Sequence, residues 1–290
     1  MWLNWWRAWR REVIIIGSGP AGITAGIYLT RAKIENIVIT NNQGALKKAE
    51  LIENYYGFEN PISGNQLLEN GVKQYQNLGG TIINDEIVGL TFEDKLVVKG
   101  VNDSYKGDVV ILATGVSRLL PVIKGLNDDL GISYCAICDA FFYRDKDVVV
   151  LGNGSYAVSE AEVLKKTAKS VTIFTNGREL TCNTDIAINT DKILSIDKNE
   201  NKFNIKLQNE TIILSDGLFI AEGIAGAMAL AKKIGAKTEV NKIIVNQEMK
   251  TNIPGLYAIG DCTGGILQIS KAIYDGTVAA FNIIKENKKE

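Results

Sequence analysis

The segment Glu12–Gly22 reads EVIIIGSGPAG and decides the fold of this 290-residue chain. It starts with the apolar run of a buried parallel strand and ends in a G-x-G-x-x-G turn, and apolar residues at Ala25, Leu29 and Ala32 predict a helix after it. This order is typical of a dinucleotide site, where the glycines let the backbone approach a pyrophosphate at the helix N-terminus. The sequence therefore predicts an α/β fold with such a site near its start.

Two later strand ends extend this predicted site. The second predicted strand ends in Thr40-Asn41-Asn42, where such folds usually place an acidic residue for a ribose hydroxyl. An amide can also hydrogen-bond a ribose, so we expect Asn41 to take this position. Gly260-Asp261 ends another predicted strand, ahead of a helix predicted over 266–284. Asp261 suits a hydroxyl of a ribitol or ribose and equally suits a helix cap, and the sequence leaves both open.

The strand, turn and helix pattern occurs a second time. Residues 147–151 read DVVVL, residues 152–157 form the glycine turn GNGSYA, and residues 158–168 form the second predicted helix. Each copy is accompanied by short alternating stretches that indicate an added antiparallel layer. The sequence thus predicts two Rossmann-like, three-layer ββα nucleotide-binding domains. The predicted boundaries are an N-terminal arm at 1–11, a discontinuous first domain at 12–115 and 247–290, and a central domain at 116–246.

The second glycine turn is altered in ways that disfavour a cofactor. Tyr156 is predicted to put a bulky ring into the turn, where a phosphate would need room. The strand that follows ends in Thr175-Asn176-Gly177-Arg178, with no acid for a 2′-hydroxyl and no pair of arginines for a 2′-phosphate. We interpret Arg178 as a solvated turn residue. The second copy is therefore expected to have lost its dinucleotide.

Redox chemistry is predicted at the segment Cys135-Ala136-Ile137-Cys138-Asp139, which we name the redox segment. If Ser133 or Tyr134 precedes the first turn of a helix, both cysteines lie on one face, near enough to close a disulfide. Unpaired backbone N–H groups in that turn would favour a thiolate. Asp139 could hold a proton if partial burial raises its pKa. A zinc half-site is the alternative, but the chain has no second CxxC and no histidine to complete four ligands, so we expect no metal.

Composition limits the partners of the chain. Its 32 basic residues balance 33 acidic ones, which argues against nucleic acid or an anionic membrane as the main partner. Four cysteines, of which only two are closely spaced, fit a reducing cytoplasm with one working pair. Cys182 and Cys262 are interpreted as buried small apolar residues. No apolar run approaches the length that spans a membrane.

The N-terminal arm has an unusual pattern. Trp2, Trp5, Trp6 and Trp9 recur at helical spacing among arginines, as in an interfacial or partner-docking helix. It lacks the apolar core of a signal peptide. An artefact of the start site, or packing on its own subunit, is favoured over membrane contact.

As an ordered set, the motifs resemble those of the low-molecular-weight thioredoxin reductases, which are of the pyridine nucleotide-disulfide oxidoreductase type. The resemblance extends from about residue 12 to residue 285 and rests on GSGPAG at 17–22, ENY at 53–55, ATG at 113–115, SYCAICD at 133–139 and GD at 260–261. It implies FAD bound by the first domain. The implied FAD-binding residues are Gly17, Ser18, Gly19, Pro20, Ala21, Gly22, Asn41, Gln43, Leu46, Asn54, Ile87, Ala113, Thr114, Gly115, Gly260, Asp261, Lys271, Ala272 and Ile273.

The resemblance also implies roles for the redox segment. Cys138 would face the flavin, Cys135 would exchange with the protein substrate, and Asp139 would protonate the departing sulfur. A homodimer and a thioredoxin partner are implied as well.

Departures from the family pattern concern the electron donor. Members that use NADPH have a GGGxxA turn and a His-Arg-Arg run, whereas this chain has GNGSYA at 152–157 and TNGR at 175–178. Lys271-Ala272 stands where Gln-Ala is common. These losses resemble the ferredoxin-dependent flavin thioredoxin reductases, in which an iron–sulfur protein supplies electrons one at a time. Ferredoxin is therefore the expected donor. The alternatives are an NADPH enzyme with a divergent pocket, an FAD dithiol oxidase, and a redox-sensing flavoprotein without turnover.

Overall fold

A computed structural model describes residues 11–41, 44–115, 120–223, 225–239 and 242–288, without the side chains of Asp128 and Cys138. The N-terminal arm up to residue 10 and Gln43 lie outside these ranges. The strands are β1 Val13–Ile16, β2 Asn36–Thr40, β3 Thr81–Asn84, β4 Ile87–Phe92, β5 Leu96–Gly100, β6 Ser104–Gly107, β7 Val109–Leu112, β8 Asp147–Leu151, β9 Ser170–Phe174, β10 Ala187–Asn189, β11 Ile193–Asn199, β12 Lys202–Leu207, β13 Ile212–Ser215, β14 Gly217–Ile220, β15 Thr238–Glu239, β16 Lys242–Ile243 and β17 Leu256–Ala258. The α-helices are α1 Pro20–Arg31, α2 Gly64–Asn77, α3 Ala136–Asp139, α4 Ser155–Leu164, α5 Ala227–Lys233 and α6 Ile269–Asn287.

The chain divides into two units, residues 1–117 with 226–290 and residues 118–225. The first unit contains a parallel sheet in the order β17-β7-β1-β2-β3 and an antiparallel sheet β4-β5-β6. The second contains a parallel sheet in the order β10-β9-β8-β14 and an antiparallel sheet β11-β12-β13. Two parallel sheets, each with an antiparallel layer and helices, confirm the predicted α/β class with two Rossmann-like units.

The central strands are apolar because both faces of a parallel sheet are covered. Every residue of β1 and β7 is buried, in register from Val13 beside Val109 to Ile16 beside Leu112. A hydrophobic core of the first unit joins these strands to α1, α2 and α6. This packing holds the carboxyl ends of the strands at one edge of the sheet, where ligands of such folds bind.

The domain boundary differs from the predicted one at residue 247. The structure places residues 226–246 in the first unit. The N–H of Ala227 donates to Thr114 Oγ1 at 2.8 Å, and Lys233 Nζ donates to the carbonyl of Val88 at 2.7 Å. These partners lie 113 and 145 positions away, so the local sequence of α5 does not reveal that it belongs to the first unit.

One buried tyrosine joins α2 to the sheet of the first unit. The Tyr75 side chain is fully buried, and its hydroxyl donates to Asn36 Oδ1 at 2.7 Å. Burial raises the pKa of Tyr75 to about 12. A β-carbon on Gly80 would lie 2.3 Å from the Tyr75 ring, so that glycine makes room for it. Within the part of the chain that the structure covers, no helix is long and apolar enough to cross a bilayer.

We expect Tyr75→Phe to lower the free energy of unfolding by about 1 kcal/mol, because the partly buried amide oxygen of Asn36 loses the hydroxyl donor of a fully buried side chain. Urea denaturation followed by circular dichroism measures the change. Tyr56→Phe is the matched control, since the Tyr56 side chain is 98% exposed. Equal effects of the two substitutions would contradict the importance of this bond.

Candidate active site

The first glycine turn is closely packed against the strand beside it. Gly17 has φ +114°, and a β-carbon there would lie 2.5 Å from the carbonyl oxygen of Ala113. A β-carbon on Gly22 would lie 2.0 Å from the carbonyl oxygen of Gly17. Gly19, at the N-cap of α1, has nothing within 4 Å of the corresponding position. The fold itself requires Gly17 and Gly22, whereas the space above Gly19 is available to a ligand.

Neighbouring strand ends complete the edge around this turn. Ser18 Oγ lies 2.8 Å from Thr40 Oγ1 at the end of β2, and Asn41 follows directly. Ala113-Thr114-Gly115 follows β7, which is paired with β1. Thr114 also has a structural contact, since its hydroxyl accepts the N–H of Ala227.

Gly260 and Asp261 follow β17 and reach the same edge. Gly260 has φ +76°, and a β-carbon on it would lie 3.0 Å from the Cβ of Ala21 in the first turn of α1. Asp261 is half-buried, and burial raises its pKa. It caps neither the short helix Gly260–Thr263, which begins after Ile259, nor α6, which begins after Gln268. The capping alternative for Asp261 is therefore wrong.

A buried ion pair supports this strand end. Lys271 Nζ lies 2.7 Å from the Asp275 carboxylate, which is 3% exposed, and donates to Gly260 O at 2.7 Å and Thr263 Oγ1 at 2.6 Å. Asp275 accepts the N–H of Gly260 at 3.0 Å. Asp275 and Thr263 were not predicted; the four-residue spacing of Lys271 and Asp275 on one helix was the available signal.

The other predicted cofactor residues have different surroundings. Asn54 Nδ2 donates to the side chain of Gln268 at 3.3 Å, just before α6. Leu46 lies in the short helix Ala45–Lys48, Ile87 is buried at the start of β4, and Ala272 and Ile273 lie in the first turns of α6. Among the predicted residues that the structure describes, those at 17–22, 41, 113–115 and 260–261 are brought to one edge by the parallel strands, and Lys271 reaches this edge through its bond to the Gly260 carbonyl.

The redox segment begins the short helix α3. Cys135 is disulfide-bonded and 2% exposed; Cys138 lies within α3, but its side chain is outside the described part. The N–H of Cys135 donates to Ser133 Oγ at 3.2 Å, and the N–H of Ala136 donates to Glu160 Oε2 at 2.5 Å. The expectation that these N–H groups are unpaired is wrong, because side chains already bind both.

Asp139 is held in place at the end of α3. Ser133 Oγ donates to Asp139 Oδ2 at 2.6 Å while accepting the N–H of Cys135. Burial, and secondarily the charge of Asp139, raise the pKa of the nearby Tyr143. One hydroxyl therefore ties the carboxyl group that follows the CxxC to the backbone of Cys135.

The second glycine turn is hydrogen-bonded to a neighbouring loop of the same unit. Asn153 Nδ2 donates to the carbonyl of Glu179 at 3.1 Å, and the N–H of Thr181 donates to the carbonyl of Asn153 at 2.9 Å. Arg178 forms an ion pair with Glu222, whose side chain is 5% exposed, and its Nε donates to the carbonyl of Thr175. Arg178 is therefore an exposed turn residue, as predicted, and it also takes part in an ion pair.

Tyr156 also differs from its prediction. Its side chain is 4% exposed, and its hydroxyl donates to the carbonyl of Tyr134 at 3.1 Å. The ring is buried beside the redox segment, so it does not project into the glycine turn. Neither Glu160 nor Glu222 was predicted, because their partners lie 24 and 44 positions away and no motif marks them.

The remaining cysteines are not in disulfides. Cys262 is buried, its Sγ lies 3.2 Å from the carbonyl oxygen of Ile259, and burial raises its pKa to about 12. Cys182 is only partly buried, contrary to prediction. Among the described side chains, no group of three or more acidic or cysteine residues could hold a metal ion.

Comparison with known proteins identifies the class. The family model of the pyridine nucleotide-disulphide oxidoreductases matches residues 11–276, and the chain belongs to this family. The thioredoxin reductase of Rickettsia prowazekii is 32% identical over 301 residues, covering 94% of this chain and 97% of the relative. The chain is thus a member of the thioredoxin reductase family, as its motifs predicted.

Two solved structures share almost the whole chain. An atypical thioredoxin reductase from Desulfovibrio vulgaris Hildenborough has a TM-score of 0.87 at 34% identity, covering 97% of this chain and 99% of that one. A ferredoxin-flavin thioredoxin reductase from Clostridium acetobutylicum has a TM-score of 0.70 at 31% identity, with the same coverage.

Members of this family bind FAD, and the protein is an FAD-binding flavoprotein. The first glycine turn fits the group. The N-terminus of α1 and the open space above Gly19 suit a pyrophosphate, and Asp261 at the end of β17 suits a hydroxyl of the ribitol.

We expect Gly19→Ala to weaken FAD binding at least tenfold while the fold is retained, because the added methyl group meets no protein atom but enters the space available to the pyrophosphate. Titration of the FAD-stripped protein with FAD, followed by flavin fluorescence, measures the affinity. Gly44→Ala is the control, since its β-carbon also meets no atom within 4 Å. Unchanged affinity in the Gly19→Ala variant would place the pyrophosphate elsewhere.

Proposed function

We propose that the protein is a thioredoxin reductase that passes electrons through a Cys135–Cys138 disulfide to thioredoxin. The observation that supports this most directly is the disulfide-bonded Cys135 at the start of α3, with Asp139 bound to Ser133 at its end. Relatives from Aquifex aeolicus and Rickettsia prowazekii are thioredoxin reductases by name. FAD, when bound, can accept electrons singly or in pairs and pass two of them to a disulfide.

The proposed exchange uses the residues of α3 in turn. The Cys135 thiol loses its proton as its sulfur attacks the disulfide of thioredoxin, forming a mixed disulfide and releasing one thioredoxin sulfur, which takes a proton. Cys138 then attacks Cys135, which restores the internal disulfide and releases the second thioredoxin sulfur. We assign the flavin-facing role to Cys138. Asp139, oriented by Ser133, supplies and recovers the proton.

We propose ferredoxin rather than NADPH as the electron donor. The crevice at the second glycine turn, where a nicotinamide dinucleotide would bind, is bridged by Asn153 with Thr181 and by Arg178 with Glu222. Arg178 is the basic residue that follows β9, and its charge is already matched by a carboxylate. A similar structure from Clostridium acetobutylicum is named a ferredoxin-flavin enzyme, which supports the same donor.

We also propose that the protein is a cytoplasmic homodimer. Tyr274 and Phe281, two turns apart on α6, are 63% and 56% exposed, and such apolar exposure is typical of a surface that another copy covers. Two cysteines outside disulfides support a reducing compartment.

The donor is tested by anaerobic bleaching of the flavin. We expect reduced ferredoxin to bleach the bound FAD rapidly, and NADPH or NADH at micromolar concentrations to leave it oxidised, because the second crevice is already occupied by protein contacts. Stopped-flow absorbance of the flavin band follows both reactions. Rapid bleaching by NADPH would establish an NADPH enzyme with a divergent pocket instead.

The cysteine roles are tested by two serine variants. Cys135→Ser should abolish thioredoxin reduction while the flavin remains reducible, since only the exchanging sulfur is lost. Cys138→Ser should block electron flow from the flavin. Steady-state thioredoxin reduction measures both, with Cys182→Ser as the control expected to retain full activity. Normal turnover of Cys138→Ser would refute its role, and rapid oxygen-dependent oxidation of a small dithiol by the unmodified protein would favour a dithiol oxidase.

A further inference from the structure

Two buried side chains of α4 bind the backbone on both sides of Cys135. Tyr156 donates to the carbonyl of Tyr134 at 3.1 Å, on the N-terminal side. Glu160, one turn further along α4, accepts the N–H of Ala136 at 2.5 Å, on the C-terminal side. The peptide groups that flank the exchanging cysteine are thus held by one helix face.

The carboxyl group of Glu160 lies at the N-terminus of α3. At this end, a helix that carries a reactive cysteine usually presents only N–H donors. Its side chain is 1% exposed, and the N–H that it binds belongs to the first residue of α3. An N–H group at a helix start, left available, would stabilise a thiolate at the cysteine beside it. Here the carboxylate takes up that N–H and adds a negative charge, which disfavours a second negative charge nearby.

The other described titratable groups that face the segment are two tyrosines and one carboxyl group. Within the described residues, Tyr156 and Glu160 face it from α4, and Asp139 and Tyr143 face it from its own end. Burial, and secondarily the charge of Glu160, raise the pKa of Tyr156 well above its usual value, so this tyrosine stays neutral. The two carboxyl groups of this set are those of Asp139 and Glu160.

We propose that Glu160 is a positioning residue that keeps the exchanging sulfur, Cys135, a thiol rather than a thiolate in the reduced protein at neutral pH. This inference takes the exchanging role of Cys135 from the proposed function. The protonation state of the Cys135 sulfur does not depend on that function.

The consequence is that the reduced pair of Cys135 and Cys138 gives up its electrons readily. Reduction of the disulfide takes two electrons and two protons when both sulfurs end as thiols, and one proton when one of them ends as a thiolate. A stabilised thiolate stabilises the reduced form and makes a disulfide an oxidant. By withholding that stabilisation, Glu160 favours transfer of the two electrons to the disulfide of a protein substrate.

The test is the pH dependence of Cys135 alkylation in the reduced FAD-loaded protein. The protein is reduced anaerobically, the reductant is removed, and iodoacetamide labelling of Cys135 is followed by mass spectrometry, with fragment ions assigning the modified cysteine. We expect the Cys135 pKa to lie at or above the ordinary thiol value of about 8.5. In Glu160→Gln, which keeps an acceptor for Ala136 but removes the charge, labelling at neutral pH should be about tenfold faster.

The matched control is Glu162→Gln, on the same helix but exposed, which should label as the unmodified protein does. A Cys135 pKa below about 7.5 in the unmodified protein, typical of thiols activated at helix N-termini, would overturn the proposal even if Glu160→Gln failed to fold. Equal labelling of the Glu160→Gln variant and the unmodified protein would also overturn it. Neither readout involves thioredoxin or an electron donor, so failure of the proposed enzymatic function would leave these results unaffected.

Discussion

Close backbone approach around the first glycine turn is the constraint on which the first unit depends. Gly17 lies against Ala113, Gly22 against Gly17, and Gly276 of α6 against the carbonyl oxygen of Ala21, where a β-carbon would lie only 2.3 Å away. These contacts bring three separate parts of the chain to one sheet edge. They require glycine because any side chain would force the segments apart. The same approach leaves the space above Gly19 free of protein atoms, so the packing that builds the fold also leaves room for a ligand at this turn.

The two units share a folding pattern and use it differently. In the first unit the strand ends surround an open turn, and buried Asp275 is matched by Lys271 within the protein. In the second unit the corresponding crevice is bridged by the ion pair of Arg178 and Glu222 and by bonds to Asn153. A carboxylate with 5% exposure requires a partner, and Arg178 supplies it. The duplicated fold retains a scaffold for α3, and its second glycine turn is hydrogen-bonded to residues of the same unit.

Hydrogen bonds from neighbouring side chains hold α3 and the residues just before it. The four residues of α3 are too few to fix their own ends, and the bonds from Ser133, Tyr156 and Glu160 supply the missing partners. The position of Asp139 follows from the same hydroxyl that binds the N–H of Cys135. The backbone around Cys135 and the carboxyl group of Asp139 are therefore ordered by one small set of hydrogen bonds.

The sequence by itself determined the α/β class, the duplicated units, the glycine turn and the redox segment, because each depends on local periodicity or on glycines at fixed spacing. Only the tertiary structure decided that α5 belongs to the first unit and that Tyr156 supports the redox segment. It also decided that Glu160 binds the N–H of Ala136 and that Glu222 pairs with Arg178. Those outcomes depend on partners distant in the chain, and hydrogen bonds between distant residues leave no spacing rule in the sequence. The sequence does not distinguish a buried carboxylate from an exposed one, because burial depends on the fold.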